Sequence, residues 1–158
     1  MKRAEIVAEL GAALVRRGWY LACAESCTGG GIAAALTEVA GSSAWFDRGF
    51  VTYSNQAKRE MLGVSAQTLE QQGAVSRETV LQMARGALAH SSARLAVAVS
   101  GIAGPGGGSP EKPVGTVWIA WAGPDDAEAM HNHFPGDRRA VREATIDAAL
   151  RGLLERAR

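Results

Sequence analysis

At 158 residues the chain is long enough to bury one hydrophobic core without disulfides or metals, and its 47% hydrophobic and 21% charged residues are those of an ordinary globular domain. A formal net charge of +1 argues against a broad nucleic-acid-binding face, and the long uncharged stretches are too broken by glycine and proline to span a membrane. The two cysteines, Cys23 and Cys27, match no common zinc spacing. With Met1-Lys2-Arg3-Ala4-Glu5 entering a helix directly instead of forming a secretory leader, they read as reduced thiols of a cytoplasmic protein.

In chain order, Ile6, Leu10, Ala13 and Leu14 mark a first helix with one apolar face, ended by Gly18. Residues 20–24 read as a buried strand. Ile32, Ala35, Leu36 and Val39 then recur at helical spacing, which predicts a helix from near Thr28 to Gly41. Residues 45–54 are rich in aromatic and β-branched side chains and read as a strand. Ser54 can cap a short helix over 55–62, residues 65–72 form another helical turn, and Ser76 caps a longer helix carrying Val80, Met83, Ala84 and Ala87. The apolar run 95–99 is typical of a strand buried on both faces. It empties into Ser100-Gly101-Ile102-Ala103-Gly104-Pro105-Gly106-Gly107-Gly108, a second glycine-rich loop. Strands at 114–122 and 129–134 are close enough to pair as a hairpin, and a last helix over 137–157 buries Val141, Ile146, Ala149, Leu150 and Leu153. Most arginines of this last stretch, among them Arg138, Arg139 and Arg142, read as its solvated face. Helices alternating with strands argue for an α/β sandwich with a mixed sheet. Ligands of such sheets sit beyond the carboxyl ends of strands, where both glycine-rich loops emerge.

The stretch Ala24-Glu25-Ser26-Cys27-Thr28-Gly29-Gly30 carries the densest chemistry. A strand running through a glycine-rich turn into a helix aims several backbone N–H groups at one spot, which suits either a phosphate or a nucleophile with its own oxyanion hole. Ser26 is the leading nucleophile, but no histidine stands beside a plausible triad carboxylate; His131 and His133 read as a solvated strand face without a third metal ligand. The other base is a lysine. Of Lys2, Lys58 and Lys112, Lys58 directly follows Tyr53-Ser54-Asn55, and it is either an exposed helix lysine or a base whose pKa burial has lowered from ~10.4. Cys27 could be a thiolate nucleophile but more simply packs beneath the turn, and Thr28 is most simply the N-cap of the second helix.

These segments together resemble the CinA C-terminal domain family. The resemblance runs in order through Ala24-Glu25-Ser26-Cys27-Thr28-Gly29-Gly30, Ala40-Gly41-Ser42-Ser43-Ala44-Trp45-Phe46, Gly49-Phe50-Val51-Thr52-Tyr53-Ser54-Asn55 and Gly73-Ala74-Val75-Ser76. It continues through Ser100-Gly101-Ile102-Ala103-Gly104-Pro105, Lys112-Pro113-Val114-Gly115-Thr116-Val117 and Phe134-Pro135-Gly136-Asp137-Arg138. It implies one domain over residues 1–158, folded as a three-layer α/β/α sandwich with a mixed, mostly parallel sheet. The activity implied is a nicotinamide-nucleotide amidase that turns nicotinamide mononucleotide into nicotinic acid mononucleotide and ammonia, without metal or organic cofactor. The implied catalytic pair is Ser26 and Lys58, with Tyr53 and Asn55 orienting the lysine or the amide. Substrate binding would fall to Thr28, Gly29, Gly30, Ser43, Gly101, Gly104, Gly106 and Arg138, the last beside the ribose phosphate. We further expect a homo-oligomer that binds neither nucleic acid nor membrane. The competing expectation is a module that holds a nucleotide without turning it over, linked to competence or the DNA-damage response.

Overall fold

Helix α1 (Arg3–Arg17) buries Ile6, Val7, Leu10, Ala13 and Leu14 and closes at Gly18 in the left-handed conformation. The computed structural model describes residues 1–158. After α1 come β1 (Leu21–Glu25), α2 (Gly31–Thr37), a single 3-10 turn (Ser42–Ala44), β2 (Phe46–Val51), α3 (Asn55–Leu62), α4 (Ala66–Gln72) and α5 (Arg77–Ala89). The chain ends with β3 (Leu95–Gly101), β4 (Thr116–Ala122), β5 (Ala127–His133) and α6 (Arg138–Ala157).

The strands form one sheet in the order β2-β1-β3-β4-β5. Strand β1 is parallel to β2 and β3, while β4 is antiparallel to β3 and β5. Four strands therefore point one way and β4 alone opposes them, which is the mixed, mostly parallel sheet expected. On one face Leu21, Cys23, Leu95, Val97, Val99, Ile119 and Trp121 pack against α1, α2 and α6. The other face presents a central patch of small side chains, Ala22, Ala24, Ala96, Ala98, Ala120 and Ala122, flanked by Phe50 and Trp118, to α5, Leu62 of α3 and Leu69 of α4. The period-two alternation of strand side chains creates this asymmetry: large residues and alanines alternate along β1 and β3. Each fully buried Leu, Ile or Val contributes about 1.5–3 kcal/mol before entropy is counted.

Strands β2, β4 and β5 (46–51, 116–122 and 127–133) depart by one to three residues at their ends from the expected 45–54, 114–122 and 129–134, and α2 differs most. Helix α2 starts at Gly31, not near Thr28, and ends at Thr37, not Gly41. Gly29 and Gly30 have φ of 57° and 103°, a left-handed path that delays the helix. At the far end the Thr37 hydroxyl donates to the Ala33 carbonyl, and the Glu38 N–H reaches back only to Ala35, which tightens and ends the last turn.

The register places Glu25 between Val51 of β2 and Val99 of β3. The segments leaving β1, β2 and β3 at their carboxyl ends therefore emerge side by side, and the chemistry gathers there.

Candidate active site

Ser26 is the first residue past β1, and its N–H donates to the Val99 carbonyl at 3.1 Å, so the strand still holds it. Its side chain continues the alternation of Ala22 and Ala24 onto the alanine face. Helix α3 approaches from that side, with Ser54 as its N-cap accepting from the Ala57 N–H at 3.0 Å. Its inner stripe buries Lys58 and Leu62, one turn apart. Lys58 is 1% exposed, so the surface reading of this residue is excluded. Its Nζ donates to Ser26 Oγ at 3.2 Å and to the Tyr53 carbonyl at 3.1 Å, while Ser26 Oγ lies 3.4 Å from the same carbonyl. Burial pushes the Lys58 ammonium below its ordinary 10.5. A lysine so placed can take a proton from the hydroxyl it touches.

The thiol beside it is poorly suited to the same task. Cys27 is buried against the core, and burial pushes its pKa up to about 11. Burial, then the charge of Glu25, also raises the Cys23 thiol well above its ordinary range.

Glu25, to which the sequence alone assigns no role, is fully buried. Its carboxylate accepts from the Thr28 hydroxyl, from Ile32 N–H at 2.8 Å and from Ala33 N–H at 3.0 Å. The N-cap of α2 is Gly30, which has no side chain to cap with. The glutamate five residues upstream supplies the missing acceptor. This corrects two expectations. Thr28 is not the N-cap; its hydroxyl faces Glu25, away from the cavity. The amino end of α2 is not open to a phosphate, because the protein's own carboxylate occupies it.

Arg142, read as a solvated helix residue, instead clamps the outer side of the same turn. Its Nε donates to the Cys27 carbonyl and its Nη2 to the Thr28 carbonyl, both at 3.1 Å. Among the N–H groups of residues 26–33, those of Cys27, Thr28 and Gly30 alone make no hydrogen bond within the chain; Gly29, which was expected to face substrate, donates to the Ser26 carbonyl.

A cavity of about 310 Å³ opens over Ser26 and Lys58. Its wall includes Tyr53, Asn55, Gly101, Gly104, Gly106 and Arg138, so eight of the twelve expected site residues, counting Ser26 and Lys58, converge here. Thr28, Gly29 and Gly30 form the turn itself and are not part of the cavity wall, the Thr28 side chain being held by Glu25. Ser43 lies in the 3-10 turn that precedes β2, at the opposite end of the sheet, and does not reach the cavity. Ala74, Val75 and Ser100 also line it and were missed as individuals. Arg138 Nη1 donates to the Gly104 carbonyl at 2.9 Å and Nη2 reaches the Tyr53 hydroxyl at 3.4 Å, tying the glycine loop to the segment after β2. Arg138 also borders a neighbouring cleft of about 920 Å³ with Arg139 and Arg142. A groove of about 690 Å³ between α3 and α4 shares only Asn55 with this set and reaches neither Ser26 nor Lys58. His131 and His133 are exposed on β5, and no three His, Cys, Asp or Glu side chains are placed to hold a metal ion. No helix is long and apolar enough to cross a membrane.

Fold and cavity define a three-layer α/β protein with a buried serine–lysine contact at the carboxyl ends of its parallel strands. The chain belongs to the CinA C-terminal domain family, whose family model matches residues 3–157. Over 139 residues it is 63% identical to the nicotinamide-nucleotide amidohydrolase PncC of Enterobacter agglomerans, covering 87% of this chain and 85% of that protein. Over 150 residues it is 56% identical to the protein of the same name from Pseudomonas putida, covering 95% and 94%. The crystal structure of the competence/damage inducible protein CihA from Agrobacterium tumefaciens is similar with a TM-score of 0.94 at 51% identity, covering 97% of this chain and 94% of that one.

Proposed function

We propose that this protein is an amidohydrolase that releases ammonia from nicotinamide mononucleotide, with Ser26 as nucleophile and Lys58 as its base. The observation that carries the reading is the 3.2 Å contact between Ser26 Oγ and a buried Lys58 Nζ. The names of the relatives supply the substrate class.

Neutral Lys58 takes the Ser26 proton as Oγ attacks the carboxamide carbon. The oxyanion points to the free N–H groups of Cys27 and Thr28; one such donor is typically worth ~3–4 kcal/mol. Lys58 then gives its proton to the departing ammonia, leaving an ester on Ser26. Water, deprotonated by the same amine, hydrolyses the ester to the carboxylate product and restores the serine. Tyr53 and Asn55 border the reacting amide, the Tyr53 carbonyl holding Nζ in place. The ribose phosphate lies against Gly101, Gly104, Gly106 and Arg138. A cavity near 310 Å³ fits a single mononucleotide.

Purified protein incubated with nicotinamide mononucleotide releases ammonia and nicotinic acid mononucleotide in equal amounts, and Ser26→Ala abolishes both while still binding product. A protein that binds the nucleotide but never releases ammonia would sink this reading in favour of a binding module.

A further inference from the structure

We propose that Glu25 is the positioning residue of the nucleophile turn, fixing which backbone N–H groups face the substrate; this rests on the reading of Ser26 as nucleophile. The carboxylate is fully buried and reaches no solvent. It grips the turn at both its middle and its far end, through the Thr28 hydroxyl and through the first N–H groups of α2 at Ile32 and Ala33. Its own carbonyl accepts from Thr52 N–H at 2.8 Å, so the grip is referred back to the sheet. Residues 26–31 are thereby strung between two fixed points only one side chain apart.

An ordinary N-cap would stabilise α2 equally well. A serine or aspartate at position 30 would do so locally and leave the turn ahead of it free to move. Here the acceptor comes from the strand itself, and the two left-handed glycines let the chain loop around it. The grip also decides what remains available. With Ile32 and Ala33 engaged by Glu25, and Ser26, Gly29 and Gly31 engaged by carbonyls, the free donors of the turn are reduced to Cys27, Thr28 and Gly30.

The test uses Glu25→Gln, which keeps the shape but sets an amide NH₂ against the Ala33 or Ile32 N–H, and Thr28→Val, which deletes only the hydroxyl donor. Each is measured for kcat and KM on nicotinamide mononucleotide, for the Kd of nicotinic acid mononucleotide, and for folding by circular dichroism. Displacing one oxyanion donor costs roughly 10²–10³-fold and a misplacement near 1 Å about 10²-fold. We expect Glu25→Gln to lower kcat about 10- to 100-fold with KM and product Kd within about threefold, and Thr28→Val to lower kcat by a smaller factor in the same direction. A folded Glu25→Gln protein with parental kcat overturns the proposal. So does a loss spread equally over kcat and product binding, since that is generic damage. If Glu25→Gln does not fold, Thr28→Val decides: parental kcat there overturns the proposal. Ser26→Ala run alongside separates the two claims. If Ser26→Ala turns over, the nucleophile reading fails; if it is dead while Glu25→Gln is unimpaired, only the role of Glu25 fails.

Discussion

Lys58 Nζ stands 3.2 Å from Ser26 Oγ across 32 residues of sequence, one group carried by the sheet and the other by a helix that covers it. Nothing but packing brings them together. Because Lys58 shares the inner stripe of α3 with Leu62, it occupies a core position, and its ammonium has exchanged water for one hydroxyl and one carbonyl. Such a group favours its neutral form, the form that can accept a proton.

Lys58→Met should therefore lower kcat by ~10²–10⁴, the usual range for general acid–base catalysis. In the parent, the rate should rise with pH along a limb that lies below the ordinary lysine range, because the folded pKa is depressed from 10.5. Stability follows the same displacement. Between the lowered folded value and 10.5 the unfolded chain binds more protons than the native one, so native stability rises with pH across that window and is lowest beneath it. The methionine variant should lose that slope and melt higher than the parent at neutral pH. A lower melting temperature at neutral pH would show that Lys58 is not held against its charge.

Cys27→Ala should keep turnover within about threefold. The thiol's pKa, near 11, leaves almost no thiolate at neutral pH, and its side chain belongs to the core cluster under α2 and α6. Steady-state rates decide the point. An inactive but folded Cys27→Ala protein, beside an active Ser26→Ala, would transfer the nucleophile to sulfur.

Arg142→Met should depress kcat about 10- to 100-fold while leaving the product Kd nearly unchanged, by the sensitivity of acyl transfer to small misplacements. The two carbonyl groups that Arg142 holds belong to the peptide units after Cys27 and Thr28. In a trans peptide the N–H points opposite to its carbonyl, so pinning the Cys27 carbonyl outward turns the Thr28 N–H the other way. Kinetics combined with calorimetric titration of product would read the split, and a loss confined to binding would refute it.

Arg138→Ala should weaken binding of the nucleotide roughly 10- to 100-fold, since charged hydrogen bonds contribute about 1.5–3 kcal/mol. The guanidinium already bridges Gly104 and Tyr53 at the cavity wall, and its planar fork suits a phosphate. The dephosphorylated riboside should be a poor substrate already and should hardly notice the change. Equal losses in kcat/KM for nucleotide and riboside would remove Arg138 from the phosphate site.

Periodicity and turn residues made much of this architecture legible. The helix over 55–62 and the serine caps at 54 and 76 appear where the sequence placed them, because a cap and its helix are local. Lys58 was harder: three-residue spacing cannot say whether a lone lysine faces water or an alanine surface two elements away. Glu25 and Arg142 were invisible as site residues for the same reason, since their partners are backbone groups of a turn whose path the sequence does not give. A signal existed for each. A helix with glycine at its cap position needs an acceptor from elsewhere, and Arg142 lies one turn beyond Arg138 on the same helix face. Ser43 was misplaced because its segment looked like part of a site, although it precedes its strand where Ser26 and Tyr53 follow theirs.

The alanines at positions 22, 24, 96 and 98 have no polar side-chain atom and touch no substrate, yet they act as shims. Their methyl groups set the height at which the α3 and α5 layer rests above β1, and so set how far a lysine on that layer stands from a serine on the strand. Widening any one of them to an isopropyl group would raise the helices in a close-packed interior that has no slack to absorb it. A proton path a few ångströms long is thus gauged by the smallest side chains of the core.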